Sequence, residues 1–190
     1  VGDVGMTAIV GPTGSGKTAL LMFLLAMFEQ PMTGRDGAVV FFDKDRSGEL
    51  LVLATGGTYL VLRRGEDSGL APLRGLPDTA AARDFIRSWV IGLIEADGKG
   101  SLTPDEEQRL ERGIGRQMKL PVEMRSLSGL REFLGHSDPH GAGPRLEKWC
   151  RGQALGWAFD GAKDEVRLDA AITGFDMTHL LELEQVCAPA

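Results

Sequence analysis

Eight residues near the start of the chain, Gly11-Pro-Thr-Gly-Ser-Gly-Lys-Thr18, fit the pattern G-x-x-x-x-G-K-[ST] in full. No other stretch restricts the fold so tightly. Such a loop works only between a strand and a helix. Its glycines let the backbone wrap so that N–H groups point inward at phosphate oxygens, and the positive end of the helix adds to the attraction. The flanks satisfy this requirement. Met6-Thr-Ala-Ile-Val10 reads as a short buried strand. Lys17 to Glu29 reads as a helix that is apolar on nearly every face, and such a helix is expected to be buried. The loop predicts a site for a nucleoside triphosphate, ATP above others, built from Gly11, Pro12, Thr13, Gly14, Ser15, Gly16, Lys17, Thr18 and Ala19. Lys17 is the candidate catalytic charge between the β- and γ-phosphates, and the Thr18 hydroxyl is the candidate Mg²⁺ ligand.

The next segments extend the same architecture. Ala38-Val-Val-Phe-Phe-Asp43 is a continuous apolar run, as in a parallel strand covered on both faces. A short helix is predicted over Ser47 to Ala54 and a third strand over Tyr59 to Leu62. Strands alternating with helices predict an α/β domain with a mostly parallel sheet. The pattern then becomes helical. Asp78 or Thr79 can cap a helix reaching Ala96, with Phe85, Ile86, Trp89, Val90, Leu93 and Ile94 on one face. Thr103-Pro-Asp-Glu106 is a capping box opening a second helix, and Ser128 to Leu134 is a third. Residues 135–144 read as a loop and Pro144 to Cys150 as a helical turn. Short β-like pieces are expected at Gly156 to Asp160 and Val166 to Leu168, and Ile172 to Asp176 returns to the sheet. The resulting division is a core over 1–76, a small helical insertion over 77–150 and a return to the core over 151–190.

Composition narrows the function. The chain is 43% apolar and 25% charged, which excludes intrinsic disorder. Its net charge of −6 supplies no global field for nucleic acid or anionic lipid, although a local basic groove stays open. Guanine recognition by Asn-Lys-x-Asp is excluded, because the chain contains no Asn. Cys150 and Cys187 match no metal or redox spacing and read as idle thiols. The Glu95 to Glu106 stretch imitates a calcium loop, but Lys99 stands where an oxygen ligand belongs and the capping box accounts for the same residues. His136 and His140 are four apart in a Pro- and Gly-rich loop, with no third ligand at useful spacing. Trp89, Trp149 and Trp157 read as core residues in preference to a stacking platform for single strands.

Hydrolysis needs an acidic residue beside Mg²⁺ at a strand end. Asp43 and Asp176 both end apolar runs, but Lys44 and Met177 follow them, so neither forms an Asp-Glu pair. For each, a capping role and a metal role remain open. Two readings stay open at this point, a self-contained small P-loop phosphotransferase using Asp43 and a non-catalytic nucleotide-binding assembly module; a third, an ATP-driven motor, enters with the resemblance below.

Beyond the P-loop, Phe41-Phe-Asp-Lys-Asp-Arg-Ser-Gly-Glu49, Gly56-Gly-Thr-Tyr-Leu60, Leu76-Pro-Asp-Thr79, Arg145-Leu-Glu-Lys-Trp-Cys150, Gly156-Trp-Ala-Phe-Asp160 and Gly174-Phe-Asp-Met-Thr178 run through the chain. With these motifs the sequence resembles the CagE/TrbE/VirB group, the large ATPases of type IV secretion and conjugal transfer, over essentially its whole length. The resemblance implies a RecA/FtsK-like motor domain with a helical insertion, binding ATP and Mg²⁺. It implies a hexamer or dimer that works with other components of a secretion channel in the cytoplasm, at the inner membrane face. Asp43, Asp45 and Glu49 belong to the second motif and are expected near the nucleotide. Ala71 stands where the family usually carries Asn. The chain begins at Val1 and ends at Ala190, and both ends read as cut from a longer protein. In the family the Asp-Glu strand follows the Gly-Phe-Asp-Met-Thr segment, so nucleotide binding with little hydrolysis is expected.

Overall fold

The computed structural model describes residues 5–32, 39–166, 170, 172–183 and 186. Helix α1 (Lys17–Met32) is followed by strand β1 (Val39–Asp43), helix α2 (Glu49–Ala54) and strand β2 (Thr58–Val61). Helices α3 (Pro72–Gly75), α4 (Ala80–Glu95), α5 (Pro104–Gln117), α6 (Leu127–Leu134), α7 (Ala142–Leu146) and α8 (Gly156–Phe159) come next, and strand β3 (Ile172–Asp176) closes the order. The sheet runs β1-β3-β2 and is parallel throughout, so the last strand lies between the first two. Phe41 and Tyr59 flank Gly174 in register. A Cβ on Gly174 would meet the Tyr59 ring at 2.5 Å, so glycine is what lets the ring lie across the central strand.

Two apolar cores form. The smaller lies between the sheet and helices α1 and α2, around Leu25, Phe41, Val52 and Ile172. The larger fills the helical unit around Ile86, Leu93, Ile114, Leu130, Leu146 and Trp149, and it extends to Leu62 and Leu180 beside the sheet. The other sheet face carries Phe42 stacked on Phe175 at 5.6 Å, and Phe42 remains 66% exposed.

Local signals gave helix ends accurately. Thr79 caps α4 by accepting from the Ala82 amide, and Asp78 pairs with Arg83 through both oxygens at 2.6 and 2.8 Å. The Thr103/Glu106 capping box opens α5 as read. Helix α6 is capped by Ser126, two residues before the expected start, and Glu49 rather than Ser47 begins α2. The turn expected over 144–150 is α7, starting at Ala142, followed by a 3-10 turn over Glu147–Trp149. Ala71 is the N-cap of α3 and supplies no side-chain bond, which is the job an Asn at this position would do.

Four expectations are corrected. Residues 6–10 form no strand, and Met6 and Val10 are 96% and 93% exposed. A strand exists only with a ladder partner, and none of the three strands pairs with this segment. Helix α1 is not buried all round: Leu20, Leu21, Phe23 and Met27 are exposed, because one face alone packs on the sheet. Phe85, placed on the buried stripe of α4, is exposed. The piece expected as β-like over Gly156 to Asp160 is instead the helix Gly156–Phe159 with Asp160 as its C-cap, because Phe159 is drawn into the core at 5.6 Å from Trp89 and 5.7 Å from Trp149. Val166 lies outside any strand, and residues 167 and 168 lie outside the described residues.

Candidate functional site

Residues 11–16 form a turn that runs directly into α1. Gly14 and Gly16 take φ of 80° and 83°, the left-handed region that disfavours side chains. Gly11 lies against Ser15: a Cβ there would meet Ser15 Oγ at 2.7 Å. The Ser15 amide donates to the Pro12 carbonyl, and Lys17 Nζ donates to the carbonyls of Gly11 and Pro12 at 2.8 and 2.7 Å. The lysine thus closes the loop on itself. The amides of Gly14, Gly16, Lys17, Thr18 and Ala19 donate to no acceptor among the described residues. Unpaired donors at the first turn of a 16-residue helix are what an anion with several oxygens satisfies. A triphosphate fits these donors, and the Thr18 hydroxyl beside them fits Mg²⁺.

Helix α1 places this loop at the carboxyl edge of the sheet. Met22 packs near Gly48, just past the end of β1: a Cβ on Gly48 would lie 3.2 Å from Met22 Sδ. Leu25, further along α1, joins the cluster containing Ile172 at the amino end of β3. The helix therefore runs opposite to the strands, with its amino end toward Asp43 and Asp176. Ligands of open parallel sheets bind outside this edge.

There the structure brings together Asp43, Asp45, Glu49 and Asp176. Asp43 is 4% exposed, and its carboxylate accepts from Ser47 Oγ (2.7 Å), the Gly48 amide (2.6 Å) and Tyr59 OH (2.8 Å). Burial, reinforced by this bond to Asp43, pushes the Tyr59 phenol well above its usual range. Asp176 Oδ1 accepts from the amide and hydroxyl of Thr178, at 3.0 and 2.6 Å. Thr178 Oγ1 in turn accepts from the Asp45 amide at 2.8 Å, and the Met177 amide donates to the Asp43 carbonyl at 2.7 Å. Asp45 and Arg46 both sit in the left-handed region, at φ of 68° and 56°. Two successive non-glycine residues there cost about 1–2 kcal/mol each. Glu49 is a half-buried partner of Arg46, held through both oxygens at 2.5 and 2.9 Å. No hydrogen bond among the described residues links the P-loop to Asp43, Asp45 or Glu49.

Tyr59, Ser47 and Thr178 were not singled out by residue-level reasoning. Their signal was membership of the Gly-Gly-Thr-Tyr-Leu, Asp-Arg-Ser-Gly and Phe-Asp-Met-Thr strings, and Asp176-x-Thr178 is the spacing of a side-chain-closed turn.

The weaker candidates resolve into structure. In the calcium-like loop Asp97 is paired with Arg145 and Glu106 accepts from the Ala142 amide, so a guanidinium stands where a cation would. His136 lies beside Glu132 at 3.1 Å, and among the described residues no cluster suits a metal ion. Trp149 is fully buried and donates to the Leu93 carbonyl, and Trp89 and Trp157 pack against the same core. Cys187 lies outside the described residues. Cys150 is buried, and burial above all pushes its thiol up to about 11. At pH 7 to 8 it is expected to resist maleimide or disulfide reagents in the folded protein and to react on denaturation; residue-resolved mass spectrometry of labelled protein checks this.

Fold and loop together define the chain as an α/β protein of the P-loop NTPase-like class. No family model matches it. Over 188 residues it is 68% identical to the protein VirB4 of Rhizobium radiobacter, covering 99% of this chain and 24% of that protein. It is 39% identical to the type IV secretion system protein VirB4 of Bartonella henselae, covering 99% of this chain and 23% of that protein. The structure of VirB4 of Thermoanaerobacter pseudethanolicus matches with a TM-score of 0.62 at 19% identity, over 93% of this chain and 51% of that one, a likeness of fold. The chain belongs to the VirB4/TrbE family, the group its motifs resembled. It spans about a quarter of the length of the curated relatives it matches.

Proposed function

We propose that this chain is the nucleotide-binding part of an ATPase that energises type IV secretion. The observation that carries the reading is the set of amides of Gly14, Gly16, Lys17, Thr18 and Ala19, unpaired among the described residues at and just before the first turn of α1, within a complete P-loop. Bound ATP with Mg²⁺ supplies the phosphoanhydride and the charge neutralisation for its cleavage. The chain's own groups would hold it: the amides of Gly14, Gly16, Lys17, Thr18 and Ala19 would take phosphate oxygens, Lys17 would exchange its two carbonyl partners for phosphate, and Thr18 would hold the metal. Relatives such as that of Bartonella henselae are type IV secretion system proteins, which supports the assignment of the machinery. In this reading the protein associates with copies of itself, as a hexamer or dimer, and with other secretion components at the cytoplasmic face of the inner membrane. The membrane contact proposed is peripheral; no helix among the described residues is long and apolar enough to cross a membrane. Conjugal transfer falls under the same reading.

Turnover by these 190 residues alone is expected to be slow. The strand-end carboxylates Asp43 and Asp176 are committed to the hydrogen bonds of their turns. This disfavours the self-contained phosphotransferase that would use Asp43 for Mg²⁺, and it leaves room for a module that binds without hydrolysing. Titration with ATP and Mg²⁺ in a calorimeter, beside a phosphate-release assay, tests the reading. Lys17→Ala is expected to weaken binding at least ~100-fold, as when a charged phosphate partner is removed. Unchanged affinity in Lys17→Ala would remove the site, and rapid release abolished by Asp43→Ala would restore the phosphotransferase.

A further inference from the structure

We infer that Arg46 is a second cation for the phosphates bound at the P-loop, masked by Glu49 until nucleotide arrives; the inference rests on the nucleotide-binding reading above. The turn that carries Arg46 lies at the carboxyl edge of the sheet, the same edge toward which the first turn of α1 points. Gly48, two residues on, packs near Met22, which lies five residues, about 7.5 Å of helix rise, beyond Lys17. The turn is fixed at three places: Asp43 receives Ser47 and Gly48, Thr178 receives the Asp45 amide, and the Met177 amide bonds the Asp43 carbonyl. These bonds fix the backbone from which the Arg46 side chain leaves, and Thr178 acts as a positioning residue for it.

Among the described residues the guanidinium itself is bound only by Glu49. The Arg46 side chain is exposed and that of Glu49 half-buried, at 41% and 27%, so water reaches the pair. An exposed ion pair is weak and exchangeable. A triphosphate carries more charge than a carboxylate and offers the planar guanidinium the same two-pronged geometry. Exchange of Glu49 for phosphate therefore places a positive charge on the nucleotide without any new backbone conformation. Lys17 changes partners in the same way, leaving two carbonyls.

The test is the affinity of the chain for ATP and for ADP, with Mg²⁺, in wild type, Lys17→Ala, Arg46→Gly and Glu49→Gln. Glycine suits the φ of 56° at position 46, so Arg46→Gly removes the guanidinium while easing the backbone. Arg46→Gly is expected to bind ATP about tenfold more weakly, the loss of one charge-assisted contact. Glu49→Gln, which unmasks Arg46, is expected to bind ATP more tightly than wild type. A role confined to holding the turn would make both variants weaker. Unchanged ATP affinity in Arg46→Gly, with binding lost in Lys17→Ala, overturns the inference and leaves the P-loop assignment standing. Weaker binding in Glu49→Gln also overturns it. Absence of binding by the wild-type chain overturns the nucleotide reading and this inference together.

Discussion

Asp160→Ala is expected to lower folding stability by about 3 kcal/mol or more, from the desolvation left by unpaired buried amides. Asp160 is a 3% exposed carboxylate between α8 and the loop ahead of β3. Its Oδ1 accepts from the Leu127 amide at 2.7 Å, and Oδ2 accepts from the amides of Ser128 and Arg151 and from Ser128 Oγ. Leu127 and Ser128 are the first two residues of α6, whose first amides have no partner inside the helix. Ser126 Oγ and the Ser126 carbonyl take the next two, from Gly129 and Leu130. The start of α6 is thus fully paired only because a carboxylate more than 30 residues away in sequence reaches it. Alanine leaves the amides of Leu127 and Ser128 without acceptors, and leaves the Arg151 amide with Ser128 Oγ alone. Urea unfolding followed by circular dichroism reads the change, with Ser126→Ala as comparison at about 1 kcal/mol. A loss below about 1 kcal/mol for Asp160→Ala would mean that water replaces the carboxylate at no significant cost.

That example marks where the sequence stops being legible. The P-loop, the Thr79 cap and the Thr103/Glu106 box were readable because each is completed within eight residues. Parallel strand order was not: β3 inserts between β1 and β2 although it is the last in the chain, and no local pattern encodes that pairing. The 6–10 segment has the composition of a strand, but a strand is a property of two segments. The all-round apolar character of α1 was read as burial, yet burial depends on what surrounds a helix, and here one side faces the sheet. Gly156 to Asp160 shows tertiary packing overriding aromatic β-propensity. At the site, Asp43 and Asp176 read from the sequence only as separate strand-end carboxylates with metal and capping roles both open; their adjacency comes from the β1–β3 pairing, and what engages their carboxylates depends on Tyr59 and Thr178. Arg125 is the same lesson in the helical unit. It is buried without a carboxylate partner among the described residues, and it donates to the carbonyls of Leu73 and Leu76 in one chain segment and of Met118 and Leu120 in another.

Arg145→Met is expected to destabilise the protein by about 3–5 kcal/mol at neutral pH, the range for leaving one member of a buried ion pair alone. Arg145 meets both oxygens of Asp97, at 2.9 and 3.1 Å, and also donates to the carbonyls of Ile94 and Gly100. The two side chains are only 6% and 14% exposed, so water cannot substitute for the lost partner as it would at a surface. Burial alone would raise the Asp97 carboxyl. The Arg145 fork and the Lys99 amide outweigh it and hold the group below its ordinary value. For Glu106 burial is likewise overcome, by Thr103 and the Ala142 amide. Both groups are therefore more acidic folded than unfolded. Their stabilisation is complete above about pH 4, the unfolded value, and is lost as pH falls through the lower folded value. The gap between wild type and Arg145→Met should accordingly be widest near pH 7 and shrink below about pH 4. Adding Asp97→Leu to Arg145→Met should recover part of the loss, because the stranded charge goes; the Ile94 and Gly100 carbonyls still lack their donor, so recovery stays incomplete. Calcium should not rescue Arg145→Met, since Lys99 still occupies the position of an oxygen ligand. A calcium-dependent rise in the unfolding midpoint of that variant would instead show that this loop is a cation site which Arg145 fills.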